Sequence, residues 1–379
     1  MSIDEKRGLM VQFPISDGRE YVFKNIGDYI QCIAAKQYIE KIDEYIEQEK
    51  ANKYQPKDNK TIRLIMNGFF QWRAESWPPS KYIHPLLISM HITPVKEKEL
   101  LNKEGIEFLR KWGPVGCRDI GTKELLDKYD IPAYFSGCLT LTLGKKYSTN
   151  NNRKGYIFVD PFFDAPINES RLGVSFEQVL FLIGVFLRHP IMISRLFKNI
   201  FFSLYSSDKS KGFLELKCSN IRRLYKTACF YHMYSKVFTN DILKNATYIN
   251  HFEYIKVTET SNDELIEKAE KLIWKYASAK MVITSRIHAA LPALALDTPL
   301  IFIDHNEVSN SDGKFNFPGR LDGLLQLFRV FNVKDNVFST EDEFLKGSKK
   351  IDMGFNLINK DDWKKYAKML DEKCTEFMQ

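Results

Sequence analysis

Short apolar runs alternate with amphipathic stretches of helical length along most of the 379-residue chain. That pattern predicts an α/β fold with a mainly parallel sheet. EYVFK, NIGD and YIQCIAAKQYI (Glu20 to Ile39) read as strand, loop and helix. TIRLIMNG (Thr61 to Gly68) reads as a strand ending in Asn-Gly, HPLLISMHI (His84 to Ile92) as another strand, and GIEFLRKW (Gly105 to Trp112) as a helix. GPVGCRD, TKELLDKYD and PAYFSG repeat strand, helix, strand between Gly113 and Gly137. LTLTL (Leu139 to Leu143) and YIFVDP (Tyr156 to Pro161) close the first half as strands. Pro, Asp and Asn cluster near Pro161, which sets a boundary there, within about ten residues.

The segment from Arg171 to Thr239 breaks the alternation, being long, aromatic, basic and poor in strand signals. SFEQVLFLIGVFLRHPIMISRLFKNIFFSLY predicts two helices broken near Pro190. A second α/β unit begins near ATYINHFE, with a helix over Asp263 to Ala277 carrying apolar residues at helical spacing. DGLLQLF (Asp322 to Phe328) reads as a helix, and KDDWKKYAKMLDEKCTEFM as a terminal one. The expected organisation is a first α/β domain over 1–165, a helical insertion over 166–240, a second α/β domain over 241–360 and a C-terminal helix over 361–379. The simplest arrangement places a cleft between the two α/β halves.

MVITSRIHAALPALALDTPLIFID (Met281 to Asp304) is the most informative stretch. It reads as a buried strand, a sharp turn, an apolar helix and a second buried strand. Ser285, Arg286 and His288 fall at the mouth of that helix, where unpaired N–H groups and the positive dipole end favour an anion. A cation and a titratable imidazole beside an anion site suggest chemistry on a phosphorylated or carboxylated small molecule. The alternative for His288 is a satisfied core histidine.

Composition narrows the classes. The hydrophobic fraction of 44% and charged fraction of 27% belong to a globular protein. The net charge is +7, yet Arg171 to Asn245 alone holds 12 Lys and Arg against 4 Asp and Glu, a balance of +8. The remainder is near neutral, at −1, which argues against a surface built for nucleic acid. Six cysteines form no CxxC pair, the N-terminal stretch MSIDEKRGLMVQF has no signal-length apolar core, and the longest apolar run, Val179 to Leu187, is too short to span a bilayer. The expected location is cytoplasmic.

Other motifs carry two readings each. In NIGD, Gly27 permits close backbone approach and Asp28 can orient or deprotonate a hydroxyl, or is simply a helix N-cap. No GxGxxG accompanies it, so an ordinary dinucleotide site is not expected. Asn67 and Gly68 sit at a strand end, where ligands collect in open α/β sheets. The aromatic loop after them, with Trp77-Pro78-Pro79, suits either sugar stacking or packing by its own side chains. His84 and His91 lack metal-ligand helix spacing, and no metal is expected. Arg118 in GPVGCRD suits a phosphate or an ion pair with Asp119, while Cys117 reads as core. Gly137 suits close approach of an anion or a plain turn. Arg320, after a Pro-Gly turn, is a second cation for the cleft or a surface side chain.

Taken in order, NIGDYIQCIAAKQYI, NGFF with WPPS and SMHI, GPVGCRD with IPAYFSGCLTLTL, and VITSRIHAALPALALDTPLIFI resemble the polysaccharide pyruvyl transferase family, from about Asn25 to Arg320. The resemblance implies a GT-B-like fold, with two Rossmann-like domains facing a cleft. It also implies transfer of a pyruvyl group from phosphoenolpyruvate to a sugar, commonly as a cyclic ketal, without a further cofactor. It places phosphoenolpyruvate binding and catalysis on Arg286 and His288. Asp28 is then a catalytic candidate beside His288. Ser285, Asn25, Gly27, Asn67, Gly68, Arg118, Gly137 and Arg320 are substrate-binding candidates beside Arg286. Acceptors of this kind are often lipid-linked oligosaccharides at the inner membrane face. Phe181, Phe186, Phe197, Phe201 and Phe202, interspersed with Arg188, Arg195 and Lys198, suit a peripheral membrane contact through 179–226, or a helical insert packed on the domains. Rival readings are a GT-B glycosyltransferase using a nucleotide sugar and a non-catalytic saccharide-binding protein.

Overall fold

The computed structural model describes residues 5–11, 20–69, 77–148, 153–160, 175–204, 213–305, 319–334, 337–347 and 350–379. The boundary at Pro161, the aromatic loop up to Ser76 and the run from Lys314 to Pro318 lie outside the described residues.

The first half runs β1 (Lys6–Val11), β2 (Tyr21–Asn25), α1 (Ile26–Lys36), β3 (Glu44–Glu47), β4 (Ile62–Phe69), β5 (Ile83–His91), α2 (Glu97–Leu100), α3 (Lys103–Trp112), β6 (Val115–Cys117), α4 (Ile120–Asp127), β7 (Ala133–Phe135) and α5 (Gly144–Tyr147). Next come β8 (Tyr156–Val159), α6 (Phe176–Arg188), α7 (Pro190–Leu204), α8 (Phe213–Tyr234) and α9 (Asn240–Asn245). The rest is β9 (Thr247–Ile249), β10 (Phe252–Lys256), α10 (Asn262–Ser278), β11 (Met281–Thr284), α11 (Ile287–Ala295), β12 (Leu300–Asp304), β13 (Arg329–Lys334), β14 (Val337–Ser339), α12 (Glu343–Lys346) and α13 (Trp363–Met378).

Among the described residues two six-stranded sheets result, beside a two-stranded one. One has the order β3-β1-β4-β5-β6-β7 and is parallel throughout. The other has the order β14-β13-β12-β11-β8-β9 and is parallel except at its β13–β14 edge. The α/β class expected from the alternation is therefore what the chain adopts. The second sheet is covered on both faces, as parallel sheets require. Tyr156, Phe158, Ile283, Ile301 and Ile303 enter one core, which includes residues of α6, α7 and α8. Ile157, Val159, Val282, Leu300 and Phe302 enter another, shared with Leu9, Val11, Ile65 and Ile88 of the first sheet. That shared core, which also holds α1, α10, α11 and α13, joins the halves.

Four expectations need correction. LTLTL is a buried 3-10 turn (Leu139–Thr142), not a half-buried strand. Its hydroxyls are satisfied locally, Thr142 Oγ1 donating to the Leu139 carbonyl at 2.8 Å, so the Leu/Thr alternation never had a polar face to present. YIFVDP does not close the first sheet; β8 lies between β9 and β11 of the second. DGLLQLF makes only a turn and a single 3-10 turn at Leu325–Leu327. Gly323, at φ +80°, stops helical propagation. Finally, Phe181, Phe186 and Phe197 do not face outward but pack on the core beneath α6 to α8; the side chains of Phe201 and Phe202 are outside the description. The pair of helices broken at Pro190 is as expected.

Two features tie the N- and C-terminal portions together. β2 pairs antiparallel with β10, Asn25 opposite Phe252. The terminal helix α13 returns to the first sheet, where Arg63 Nη1 donates to the Phe377 carbonyl at 2.8 Å.

Candidate active site

The strand ends β6 and β11, the residue after β8 and the first turns of α1, α4 and α11 supply the site. Ligands bind in this position in open parallel sheets, at the carboxyl ends of strands and the positive ends of helices.

α1 begins at the NIGD turn. Asn25 is the N-cap and its Oδ1 accepts from the Gly27 N–H at 3.0 Å. Asp28 is therefore not the cap, correcting one reading of the motif. It lies three residues inside the helix, leaving its carboxylate for other partners. Oδ1 takes a hydrogen from Asn25 Nδ2 at 3.0 Å and sits 3.2 Å from His288 Nδ1. Gly27 is required by packing: a Cβ there would stand 2.6 Å from His251 Nδ1. His251 closes the back of the site. Its carbonyl accepts from the Ile26 N–H, and its Nε2 lies 2.6 Å from the Tyr276 hydroxyl. Burial holds its imidazole down at about 4.

α11 begins at Ile287 with Arg286 as N-cap. The Arg286 backbone N–H donates to Thr284 Oγ1 at 2.9 Å, fixing the turn. Its guanidinium pairs through Nε with Asp160 Oδ2 at 2.7 Å and lies over the Phe252 ring, 5.1 Å from its centroid. Asp160 stands just past β8 with a left-handed backbone (φ 49°), and its Oδ1 also accepts from the His251 N–H at 3.3 Å. Ser285 Oγ, in the same turn, has no protein partner among the described residues. His288 is buried, with Nδ1 toward Asp28 and Nε2 without a protein partner among the described residues. Burial lowers its pKa, and the charges of Arg118 and Arg320 lower it further; Asp28 alone among the named influences opposes them. Burial pushes Asp28 upward, but His288, Lys24 and Arg320 outweigh it and hold the carboxyl below its ordinary range.

Arg118 follows β6 and is 1% exposed. Its Nε is 3.6 Å from Asp119 Oδ2, beyond hydrogen-bond range, and neither Nε nor Nη2 has a hydrogen-bond partner in the described structure. Asp119 is occupied elsewhere: it caps α4 through the Thr122 N–H at 2.9 Å and holds His91 Nδ1 at 2.7 Å. A cation so deeply desolvated and so loosely matched is chemically suited to an anion. Arg320 is brought beside it by two glycines. The 319–323 turn docks on the start of α4, where a Cβ on Gly121 would meet Gly319 Cα at 2.9 Å and Ile120 N–H donates to the Asp322 carbonyl at 3.0 Å. Burial, then the nearby Arg118, push the Arg320 guanidinium down to about 10, with Asp28 opposing.

Asp28, His288, Arg118, Arg286 and Arg320 thus converge, as their mutual electrostatic influence requires. Asn25 and Gly27 shape the turn that carries Asp28. Asn67, Gly68 and Gly137 have structural roles. Asn67 Nδ2 donates to the Gln31 carbonyl at 3.1 Å, Gly68 (φ +115°) forms a bulge between β4 and β5, and Gly137 (φ +68°) turns the chain from β7 into the 3-10 turn. Sequence reasoning missed Asp160, Lys24 and His251. Asp160 carried a signal, an acid at the end of a buried strand; His251, in the loop between β9 and β10, carried none. Among the described residues no cluster of His, Cys, Asp and Glu suits a metal ion.

An acid–imidazole pair set among three arginines in an α/β chain can hold an anion beside a proton-transferring group. The family model described as polysaccharide pyruvyl transferase matches residues 25–307, and the chain belongs to that family of transferases. The matched range contains each residue of the site except Arg320. No curated protein and no solved structure matches the chain significantly.

Proposed function

We propose that this protein transfers the pyruvyl group of phosphoenolpyruvate to a sugar of a polysaccharide or of its lipid-linked precursor, closing a cyclic ketal. The observation that carries the reading is the Asp28–His288 pair at 3.2 Å, flanked by Arg118, Arg286 and Arg320. On this reading the two sheets form the acceptor and donor sides of a GT-B-like cleft. The helical segment from α6 to α9 is the insertion between them.

The donor carries a carboxylate and a phosphate, and three guanidinium groups suit those charges. Arg118, whose Nε and Nη2 find no hydrogen-bond partner among the described residues, is the cation most in need of an anion. Arg286, held by Asp160, is positioned rather than mobile. Burial holds His288 toward its neutral form. A bound donor offsets the arginine charges that lower its pKa, so His288 takes up a proton as the donor binds. Protonated Nε2 then delivers that proton to the donor's methylene carbon, which becomes a methyl group. A sugar hydroxyl attacks the adjacent carbon, which bears the developing positive charge, and passes its proton to the now neutral imidazole. The carbon–oxygen bond to phosphate breaks, a second hydroxyl closes the ring, and its proton ends on the released phosphate. One donor and one diol give one ketal and one phosphate, with no other cofactor consumed.

The test is phosphate release from phosphoenolpyruvate across a panel of free and lipid-linked glycosides. Folded Arg286→Ala and His288→Ala variants should lose nearly all of it. Either variant turning over at the parent rate would exclude the mechanism.

A further inference from the structure

The helical segment between β8 and β9 buries one side and leaves another open. Leu182 and Val185 of α6 and Ile193, Leu196 and Ile200 of α7 are buried in the core beneath the second sheet. Phe176, Leu180, Ile183 and Leu187 of α6 point the other way and continue to Ile191 at the start of α7. Their exposure runs from 48% at Ile183 to 82% at Ile191. The spacing of four, three and four residues keeps the four α6 members in one row, and Ile191 follows across the bend into α7. An exposed row of large apolar side chains marks an interaction surface rather than ordinary surface scatter.

Charge selects the occupant. α7 carries Arg195 and Lys198 four and seven residues after Ile191, hence on the same helical face, and both are exposed. These two, with Lys244, line a groove of about 570 Å³ against β9. Arg188 ends α6, close enough with Lys236 to lower the pKa of His232, whose burial is the larger cause. Glu177 is the one acid on α6 and α7. A second copy of this chain would bring the same basic rim against itself. A negatively charged bilayer surface would not.

We propose that α6 and the start of α7 seat the protein on an anionic lipid surface, the apolar row entering the headgroup–acyl boundary and Arg195 and Lys198 meeting lipid phosphates, while Lys244 stays paired with Asp241. The contact lies flat on the surface. Among the described residues no single helix is long and apolar enough to cross a membrane, and the α6–α7 pair is bent by 111° with one side committed to protein core. The residues differ from the aromatic ones the sequence suggested, because Phe181, Phe186 and Phe197 are the inward half of the same amphipathic helices.

The experiment is co-sedimentation of the whole chain with phosphatidylglycerol–phosphatidylcholine vesicles, beside pure phosphatidylcholine vesicles, at low and high salt. The parent should pellet with the anionic vesicles at low salt and release at high salt. Leu180→Ser/Leu187→Ser/Ile191→Ser should weaken partitioning by about tenfold or more, given the apolar area withdrawn. Arg195→Glu/Lys198→Glu should weaken it on anionic vesicles and leave the neutral-vesicle control unchanged. Circular dichroism confirms that these surface variants fold. Absence of parent binding to anionic vesicles overturns the inference. So does unchanged binding by both variants, or a parent dimer in sedimentation velocity that the triple variant dissociates. The vesicle readout needs neither donor nor acceptor, so it stands apart from the pyruvyl-transfer reading.

Discussion

Replacing Asp28 by Asn removes one charge from the site and almost nothing else. The helix keeps its cap, because that is Asn25. The lost charge stood 3.2 Å from His288 Nδ1. At an effective dielectric of about 20, a pair of unit charges at that distance interacts by about 5 kcal/mol. That is a ceiling, because Asp28 is 24% exposed and water screens it. A charge-assisted hydrogen bond contributes about 1.5–3 kcal/mol. A loss of about 2–3 kcal/mol from the imidazolium form follows. The direction is fixed by the surroundings. Burial, Arg118 and Arg320 already lower His288, and Asp28 opposes them, so its removal sends the midpoint further down. If proton delivery by His288 limits turnover, phosphate release at pH 7 falls by about 30- to 100-fold. Histidine-ring resonances followed by NMR against pH give the midpoint, and steady-state phosphate release gives the rate. A variant whose His288 titrates at or above the parent midpoint, or whose turnover stays within twofold, would refute the reasoning.

Other outcomes follow from the same geometry. Arg118→Met removes a buried cation with no hydrogen-bond partner at Nε or Nη2. It should leave the melting temperature of the empty protein unchanged or raised, while weakening donor binding by about 1.5–3 kcal/mol, read by calorimetry. Gly27→Ala places a methyl 2.6 Å from His251 Nδ1. It should destabilise the protein by about 1–3 kcal/mol in urea titrations and, through the displaced turn, reduce turnover as well. Stability should also fall with acid. His91 and His251, both held down at about 4 chiefly by burial, bind protons only when unfolded between pH ~6.5 and 4. Folding therefore weakens as pH drops through that window, by about 1.4 kcal/mol per unit for each residue, and differential scanning calorimetry between pH 7 and 5 should show the decline.

Much of this was legible in the chain. Alternating apolar runs and helical spacing located β4, β5, β11, β12, α10 and α13 because each lies in a hydrophobic environment whose period its own sequence matches. The same logic failed at LTLTL. Burial on every side removes the polar face that an alternating pattern implies, and a Thr hydroxyl can bond its own backbone instead of water. That Arg286 and His288 fall at the start of a buried helix was legible because strand, turn and helix are adjacent in the chain there.

The sequence alone settled the class of fold, the family and the turn that carries the imidazole, since these depend on periodicity and on residues adjacent in the chain. The structure alone decided that Asp28 meets His288 rather than capping its helix, that Asp160 holds Arg286, and that Gly121 and Gly319 let Arg320 approach Arg118. It also decided which side of α6 faces outward. These contacts join residues separated by up to 260 positions (Asp28 to His288). No local pattern encodes the packing that makes such pairs neighbours; only burial of the shared core between the two sheets brings them together.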